Sequence, residues 1–255
     1  MSSRDIRRKY GQNYLIDPAI LFEMGEVISP NDSDNFIEIG PGIGALTNQI
    51  NTENINITAI DIDANNIETL KNKFKGPANF NFINEDILKF KLEDLRVDKR
   101  IVGNLPYNIS TQIILKLLND YQKIIDMHFL VQKEVAQKIT GQVASKNWCK
   151  LSINISAFFN SEILFDVPPE AFDIKPKVNS SFIRLLPKKD LNYDLSIKDN
   201  LYKIIDLAFS SKRKNIKNNL KKLDIDWDKT NIDPTKRSEE IPLTDFINLA
   251  KVYSA

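Results

Sequence analysis

An α/β fold with a mostly parallel, doubly wound sheet, followed by a small all-α carboxyl-terminal domain, is predicted by three features of the sequence. Short β-like runs alternate with longer helical patterns over most of the chain, which implies βαβ units. A glycine-rich turn closes the first of these runs. Beyond the segment "RLLPKKD" (184–190) the strand pattern stops and only helix-like segments follow. The expected domains are therefore 1–187 and 188–255.

The elements follow in order. "NFIEIGP" (35–41) reads as a strand, "ALTNQI" (45–50) as a helix, "INITAIDID" (55–63) as a strand and "NNIETLKNKF" (65–74) as a helix. "NFNFINEDI" (79–87) and "KRIVGNLP" (99–106) are the next strands. "STQIILKLLND" (110–120) has helical spacing, with Ser110 or Thr111 as its expected N-cap. "MHFLVQ" (127–132) is a strand and "KEVAQKIT" (133–140) a short helix, and "LSINISAFF" (151–159) and "SSFIRLLP" (180–187) complete a set of seven strands. Helix-like segments at 195–210, 212–223 and 242–253 follow the 187–195 linker.

Composition narrows the partners. With 255 residues, 42% of them hydrophobic and 27% charged, the chain can bury an ample core. The balance of 35 Lys and Arg against 34 Asp and Glu leaves a net charge of +1, so no global field selects a polyanion. The distribution is uneven: Lys212, Arg213, Lys214, Lys217, Lys221 and Lys222 share the stretch 207–223 with no acid, and Arg4, Arg7, Arg8 and Lys9 outnumber Asp5 at the start. Such blocks are solvated faces unless another observation recruits them. One cysteine, Cys149, and one histidine, His128, leave no disulfide framework and no structural zinc site. Metal ligands are not expected. The opening residues lack the apolar run of a signal peptide and no stretch approaches membrane-spanning length, so a cytoplasmic protein without membrane contact is expected.

The segment "EIGPGIGA" (38–45) places Gly40, Gly42 and Gly44 after a strand and before a helix. That is where open α/β sheets bind ligands, because the helix N-terminus offers free N–H groups and the turn lets a ligand approach the backbone. Asp61 ends the next strand about twenty residues on, where an acid would take ribose hydroxyls. Gly40, Gly42 and Ala45 also satisfy G-x-G-x-x-A, so a dinucleotide site fits this segment equally well. Asp86 then ends the third strand and could accept from the exocyclic amine of a purine, with Ile62 and Ile87 placed to sandwich its ring. A glycine loop, a ribose acid and an adenine acid with no hydride-transfer machinery after them suit S-adenosylmethionine better than a dinucleotide.

"RIVGNLPYNIST" (100–111) then ends a strand on an amide, an apolar residue, a proline and an aromatic ring. A plain turn would use Gly, Asn, Asp and Ser. Methyl transfer to an aromatic amine gives each residue a task. The lone pair of such an amine is delocalised into its ring, and oxygens that accept its two N–H groups favour a pyramidal nitrogen and aim it at the methyl. The Asn104 side chain and the Leu105 carbonyl can supply those oxygens, Pro106 fixes the backbone without an N–H of its own, and Tyr107 offers a stacking face to an unstacked base.

"NLPYNIST" resembles motif IV of amino-group adenine methyltransferases, in the form used by ribosomal RNA adenine dimethyltransferases. The resemblance runs through "KYGQNYLID" (9–17), "EIGPGIGALT", "FLVQKEVAQKI" (129–139), "VPPEAFDIKPKVNSSFIRL" (167–185), "AFSSKRKNIKNNL" (208–220) and "RSEEIPLTDFINLAKVY" (237–253). It implies a Rossmann-like class I fold with a seven-stranded sheet. The implied donor is S-adenosylmethionine, leaving S-adenosylhomocysteine, and the implied acceptors are two neighbouring adenosines near the 3′ end of small-subunit rRNA, dimethylated in a pre-assembled 30S-type particle by a monomeric enzyme. By position, Gln12, Asn13 and Leu15 would border the donor, Gly40 and Gly42 would back its methionine and ribose, and Asp61 and Asp86 would hold ribose and adenine. Asn104 would sit between donor and target, Tyr107 and Phe172 would flank the flipped base, and Lys212, Arg213, Lys214 and Lys217 would meet RNA. The enzymes that modify an adenosine of large-subunit rRNA share much of this pattern, and a protein that only checks ribosome assembly would share the basic face. Two departures stand out: Trp148-Cys149-Lys150 replaces the usual Tyr-Gly-Arg, and Asp61 replaces the commoner Glu.

Overall fold

The computed structural model describes residues 12–75, 79–92, 98–191 and 193–254. The basic residues Arg4, Arg7, Arg8 and Lys9 lie outside them. The chain divides into two compact units, residues 1–136 with 162–187 and residues 137–161 with 188–255.

Among the described residues the first helix of this unit is α1 (Pro18–Ile28), which the hydrophobic spacing above does not claim. Its signal is the Asp-Pro pair: the Asp17 carboxylate accepts from the N–H groups of Ala19 and Ile20 at 2.9 and 3.2 Å, and Pro18 takes the first helical position, where no N–H is needed. Strand β1 (Asn35–Ile39), α2 (Ala45–Ile50), β2 (Asn56–Asp61), α3 (Ala64–Lys73), β3 (Phe80–Asn84), β4 (Lys99–Asn104), α4 (Ser110–Leu117), β5 (Ile124–Gln132) and α5 (Lys133–Ile139) follow. After α6 (Lys150–Phe158) come β6 (Phe159–Val167) and β7 (Ser180–Pro187). The described residues form one seven-stranded sheet in the order β3-β2-β1-β4-β5-β7-β6. β3 through β5 pair in parallel and β5 pairs with β7 antiparallel. The strand order reverses between β1 and β4, so a crevice opens beyond their carboxyl ends.

The central strands are apolar on both faces, with Phe36, Ile37, Ile39, Ile57, Ala59, Ile101 and Val102 all at most 1% exposed, as a sheet covered by helices requires. Gly103 lets β1 and β4 close together at the crevice: a Cβ there would stand 2.5 Å from the Ile39 carbonyl oxygen. At the other end of β4, Arg100 is buried among acids. Its guanidinium donates to Asp126 at 2.8–3.1 Å, to Asp34 at 2.7 Å and to the Ser29 carbonyl at 3.1 Å, tying α1 to β1, β4 and β5.

Three elements differ from the sequence reading. "LSINISAFF" alternates apolar and polar residues as a strand would, yet 150–158 is helix α6, and the sixth strand is 159–167. Nearly every side of α6 is buried, including Ser152 and Asn154, so period-two alternation carries no information about exposure there. Ser110 is the first residue of α4 rather than its cap; Ile109 holds that position without a side-chain hydrogen bond. The 212–223 segment is mostly loop and contains only the short α8 (Ile216–Asn219).

In the second unit α6, α7 (Lys198–Ala208) and α9 (Leu243–Ser254) contribute Leu151, Ile155, Leu201, Ile204, Ile205, Phe246 and Leu249 to a buried cluster. Trp148 is anchored there by its indole N–H, which donates to the Ile241 carbonyl at 2.8 Å, and Lys150 pairs with Asp206. Cys149 caps α6 with extended backbone (φ −152°, ψ 177°) and donates its N–H to the Ser152 hydroxyl at 2.7 Å. Extended backbone makes no demand for glycine, so the Cys149 departure is accommodated without strain. No helix among the described residues is long and apolar enough to cross a membrane.

Candidate active site

The crevice beyond β1, β2, β3 and β4 holds a cleft of about 240 Å³, far more than the roughly 10–15 Å³ that one water occupies on the same measure. Of the expected residues, Gln12, Asn13, Gly40, Gly42, Asp61, Ile62, Asp86, Ile87, Asn104, Leu105, Pro106 and Tyr107 all line it.

The floor is the turn after β1. Gly40, Gly42 and Gly44 all have positive φ, a region other residues avoid. At Gly42 the requirement is also steric, since a Cβ would meet the Tyr14 ring at 2.8 Å. Beside the turn, Asp61 is 4% exposed and accepts from Gly42 N–H at 3.2 Å, Asp63 N–H at 2.9 Å and Asn66 Nδ2 at 3.0 Å. Burial pushes its carboxyl above the usual range, against the pull of these donors. A carboxylate has about four acceptor positions, so capacity remains for a ligand hydroxyl. Asp86 follows β3, and its Oδ1 accepts from Leu88 N–H at 2.9 Å. Ile87 is buried beside it, and Ile62 is 46% exposed on the β2 side.

Under the turn, Glu38 is 1% exposed and accepts from the Thr47 hydroxyl at 2.6 Å. Burial raises its pKa to about 7. The sequence reading assigns Glu38 no role; its burial follows from its place in a central strand facing α2.

At the head of the cleft, the Asn104 Nδ2 donates to the Asn13 carbonyl at 2.8 Å. That bond settles which end of the amide is which, and leaves Oδ1 as the end offered to a ligand. Leu105 is 1% exposed and its N–H donates to the Leu130 carbonyl at 3.1 Å, fixing the Asn104–Leu105 peptide plane next to the one that carries the Leu105 carbonyl. The Pro106 carbonyl accepts from Ile109 N–H at 3.1 Å, closing the turn. The Tyr107 hydroxyl shares a 2.5 Å hydrogen bond with Ser180, and burial raises the phenol pKa.

Leu15 and Phe172 stand apart. They pair across an antiparallel bridge, are 4% and 2% exposed, and belong to the hydrophobic core rather than to the cleft lining. Their segment nonetheless fastens the cleft edge. Ile16 N–H donates to the Ala171 carbonyl at 2.9 Å, Asp173 N–H to the Tyr14 carbonyl at 3.0 Å, and Tyr14 N–H to Asp173 Oδ1 at 3.1 Å. Sequence reasoning missed eight lining residues: Tyr14, Ile39, Ile60, Glu85, Leu88, Asn108, Ile109 and Ile113. The signal for Tyr14 was present, since it lies between named neighbours in "QNYL".

In the second unit Lys212, Arg213, Lys214 and Lys217 are all exposed. Their loop is held at both ends: Asn219 Nδ2 donates to the Ala208 and Ser211 carbonyls at 2.6 and 3.1 Å, and Asn215 pairs with Arg237 in an isolated bridge. Among the described residues no group of three His, Cys, Asp or Glu side chains is placed to hold a metal ion.

A floor of glycine backbone, two acids 25 residues apart at successive strand ends, apolar walls and an amide-proline-aromatic head match an adenosine with a short charged chain and a planar base beside it. Known proteins agree. The sequence model of the ribosomal RNA adenine dimethylase family matches residues 3–255. The ribosomal RNA small subunit methyltransferase A of Coxiella burnetii (strain Dugway 5J108-111) is 36% identical over 258 residues, covering 100% of both chains. Among solved structures, a dimethyladenosine transferase from Plasmodium falciparum superposes with a TM-score of 0.77 at 25% identity over 92% of this chain and 95% of that one. The 23S rRNA methyltransferase ErmE shares the fold, with a TM-score of 0.75 at 22% identity over 95% of this chain and 100% of that one. The chain belongs to the ribosomal RNA adenine dimethylase family.

Proposed function

We propose that this protein dimethylates the N6 amines of two adjacent adenosines near the 3′ end of small-subunit rRNA, with S-adenosylmethionine as donor, during late small-subunit assembly. The observation that carries the reading is the fixed amide of Asn104, whose Nδ2 is held by the Asn13 carbonyl at the head of a cleft that fits an adenosine.

The residues present suit that donor. Asp61 would take the ribose hydroxyls, Asp86 the adenine amine, Ile62 and Ile87 the faces of the ring, and the backbone at Gly40 and Gly42 the methionine portion. Gln12 and Asn13 would border it, with Leu15 acting from the core by holding their segment. When bound, S-adenosylmethionine supplies an electrophilic methyl group on a sulfonium. The protein's own part is to hold the acceptor. Asn104 Oδ1 and the Leu105 carbonyl accept the two N–H groups of the target amine, so the nitrogen becomes pyramidal, its lone pair leaves conjugation with the ring and points at the methyl, and after transfer the nitrogen loses one proton to solvent. Pro106 keeps the second acceptor in place, and the Tyr107 ring stacks on the extruded base, its orientation set by Ser180. Phe172, a core ring, acts on the base indirectly by fastening residues 14–16. The exposed cations Lys212, Arg213, Lys214 and Lys217 meet rRNA phosphates on a pre-assembled 30S-type particle.

The test is transfer of tritiated methyl to undermethylated small and large subunits, with the modified base identified by mass spectrometry. N6,N6-dimethyladenosine in small-subunit rRNA alone is expected. Label in large-subunit rRNA would assign the chain to the large-subunit type, and particle binding without label would leave it an assembly factor.

A further inference from the structure

The segment Gln12–Tyr14 forms one wall of the cleft, and its side-chain contacts lead to the ribose-binding acid. The Tyr14 hydroxyl donates to Asn66 Oδ1 at 2.9 Å and lies 3.4 Å from Gln12 Oε1. The same Asn66 amide donates through Nδ2 to Asp61 Oδ2 at 3.0 Å. With one end of the amide accepting and the other donating, its orientation is fixed by its two partners. Asn66 is 6% exposed in the first turn of α3, so neither bond competes freely with water. Asp61 Oδ2 also accepts from Gly42 N–H at 3.2 Å, and the Tyr14 ring lies against that same glycine. Hydroxyl, amide and carboxylate thus form a continuous chain from the wall of the cleft to its floor.

We propose that Tyr14 is a positioning residue for the donor. Its hydroxyl, acting through Asn66, latches residues 12–14 to Asp61, so that ribose binding at Asp61 and closure of this wall reinforce one another. This rests on the reading of the cleft as the S-adenosylmethionine site. The coupling is positional: the Asn66 amide that holds Tyr14 also holds the Asp61 carboxylate in the orientation a ribose hydroxyl would meet, so the wall and the ribose acid are ordered together. The reciprocal effect is slower escape of the donor while the latch is made. Asn104 gains as well, because the carbonyl that fixes its amide belongs to Asn13, inside the latched segment.

Tyr14→Phe keeps the ring against Gly42 and removes only the hydroxyl. Release of S-adenosylmethionine, followed by stopped-flow competition, should quicken about fivefold, the usual worth of one net hydrogen bond. The donor KM should rise in step and the rRNA KM should not. Asn66→Leu should quicken release at least as much, since it also removes the donor to Asp61, and Tyr14→Phe should add little to it, because the Tyr14–Asn66 bond is already gone. Unchanged release from Tyr14→Phe, or fully additive effects in the double variant, would overturn the latch. Should Asn66→Leu fail to fold, the Tyr14→Phe release rate decides alone. Wild-type protein that binds no S-adenosylmethionine would overturn the donor-site reading and the latch together, whereas tight wild-type binding with an indifferent Tyr14→Phe overturns only the latch.

Discussion

Asn104 and Asp86 each divide their polar atoms between holding the fold and facing the cleft. Asn104 Nδ2 donates to the Asn13 carbonyl, and Asp86 Oδ1 accepts from Leu88 N–H, so each keeps one oxygen for a ligand. For Asp86 the consequence is measurable. Asp86→Ala should weaken S-adenosylmethionine binding by roughly 10- to 100-fold, the range for a hydrogen bond to a charged group, and rRNA binding far less. Calorimetric titration showing the larger loss on the RNA side would contradict its assignment to adenine. These residues were legible in sequence because strand ends beside a glycine turn are chemically marked positions. Asn66 and Glu38 were not, because their partners are set by packing between elements that no local spacing reveals, and while "QNYL" marks Tyr14 as a neighbour of the cleft, nothing local shows its bond to Asn66. Phe172 was read for its ring, and its place in the core depends on the bridge to Leu15, far away in sequence.

Between elements, the alternation of strand and helix located the first five strands because each is short, apolar and bounded by turn residues. It failed at α6, where burial on nearly all sides erases the helical period, and at 212–223, where the cations that looked helical sit mostly on a loop. That loop, pinned by Asn215 and Asn219, presents Lys212, Arg213 and Lys214 to solvent together, which is what the proposed RNA contact requires. Replacing these three with Gln should weaken rRNA association and lower the slope of log affinity against log salt by about two to three, near one per lost phosphate contact. A slope equal to wild type would make the loop an ordinary solvated face.

For the molecule as a whole, two buried groups oppose each other in pH dependence. Glu38, with a pKa near 7 against 4.5 for an exposed carboxyl, keeps its proton after the unfolded chain has released it. Stability from this group is full below pH 4.5 and is lost as pH rises to about 7, by roughly 3 kcal/mol. His128, 1% exposed in β5 beside Phe182, has no hydrogen-bond partner among the described residues on either ring nitrogen, and burial lowers its pKa to about 4 from 6.5. Its contribution is full above pH 6.5 and is lost as pH falls to about 4, by a similar roughly 3 kcal/mol. The two slopes cancel between them in wild type. Glu38→Gln should therefore unmask a stability that climbs from pH 4 to 6.5, measured by urea unfolding across pH. A Glu38→Gln profile parallel to wild type would contradict this pairing.

The same scale holds the central claim, that oxygens fixed at the head of a donor cleft make an unreactive purine amine accept a methyl group. Single-turnover methyl transfer to undermethylated small subunits, at saturating donor and enzyme, measures it directly. Asn104→Ala should slow that step by about 100- to 1,000-fold, the cost of losing one preorganised polar group at a reacting centre, while the subunit still binds. A rate within threefold of wild type would contradict it.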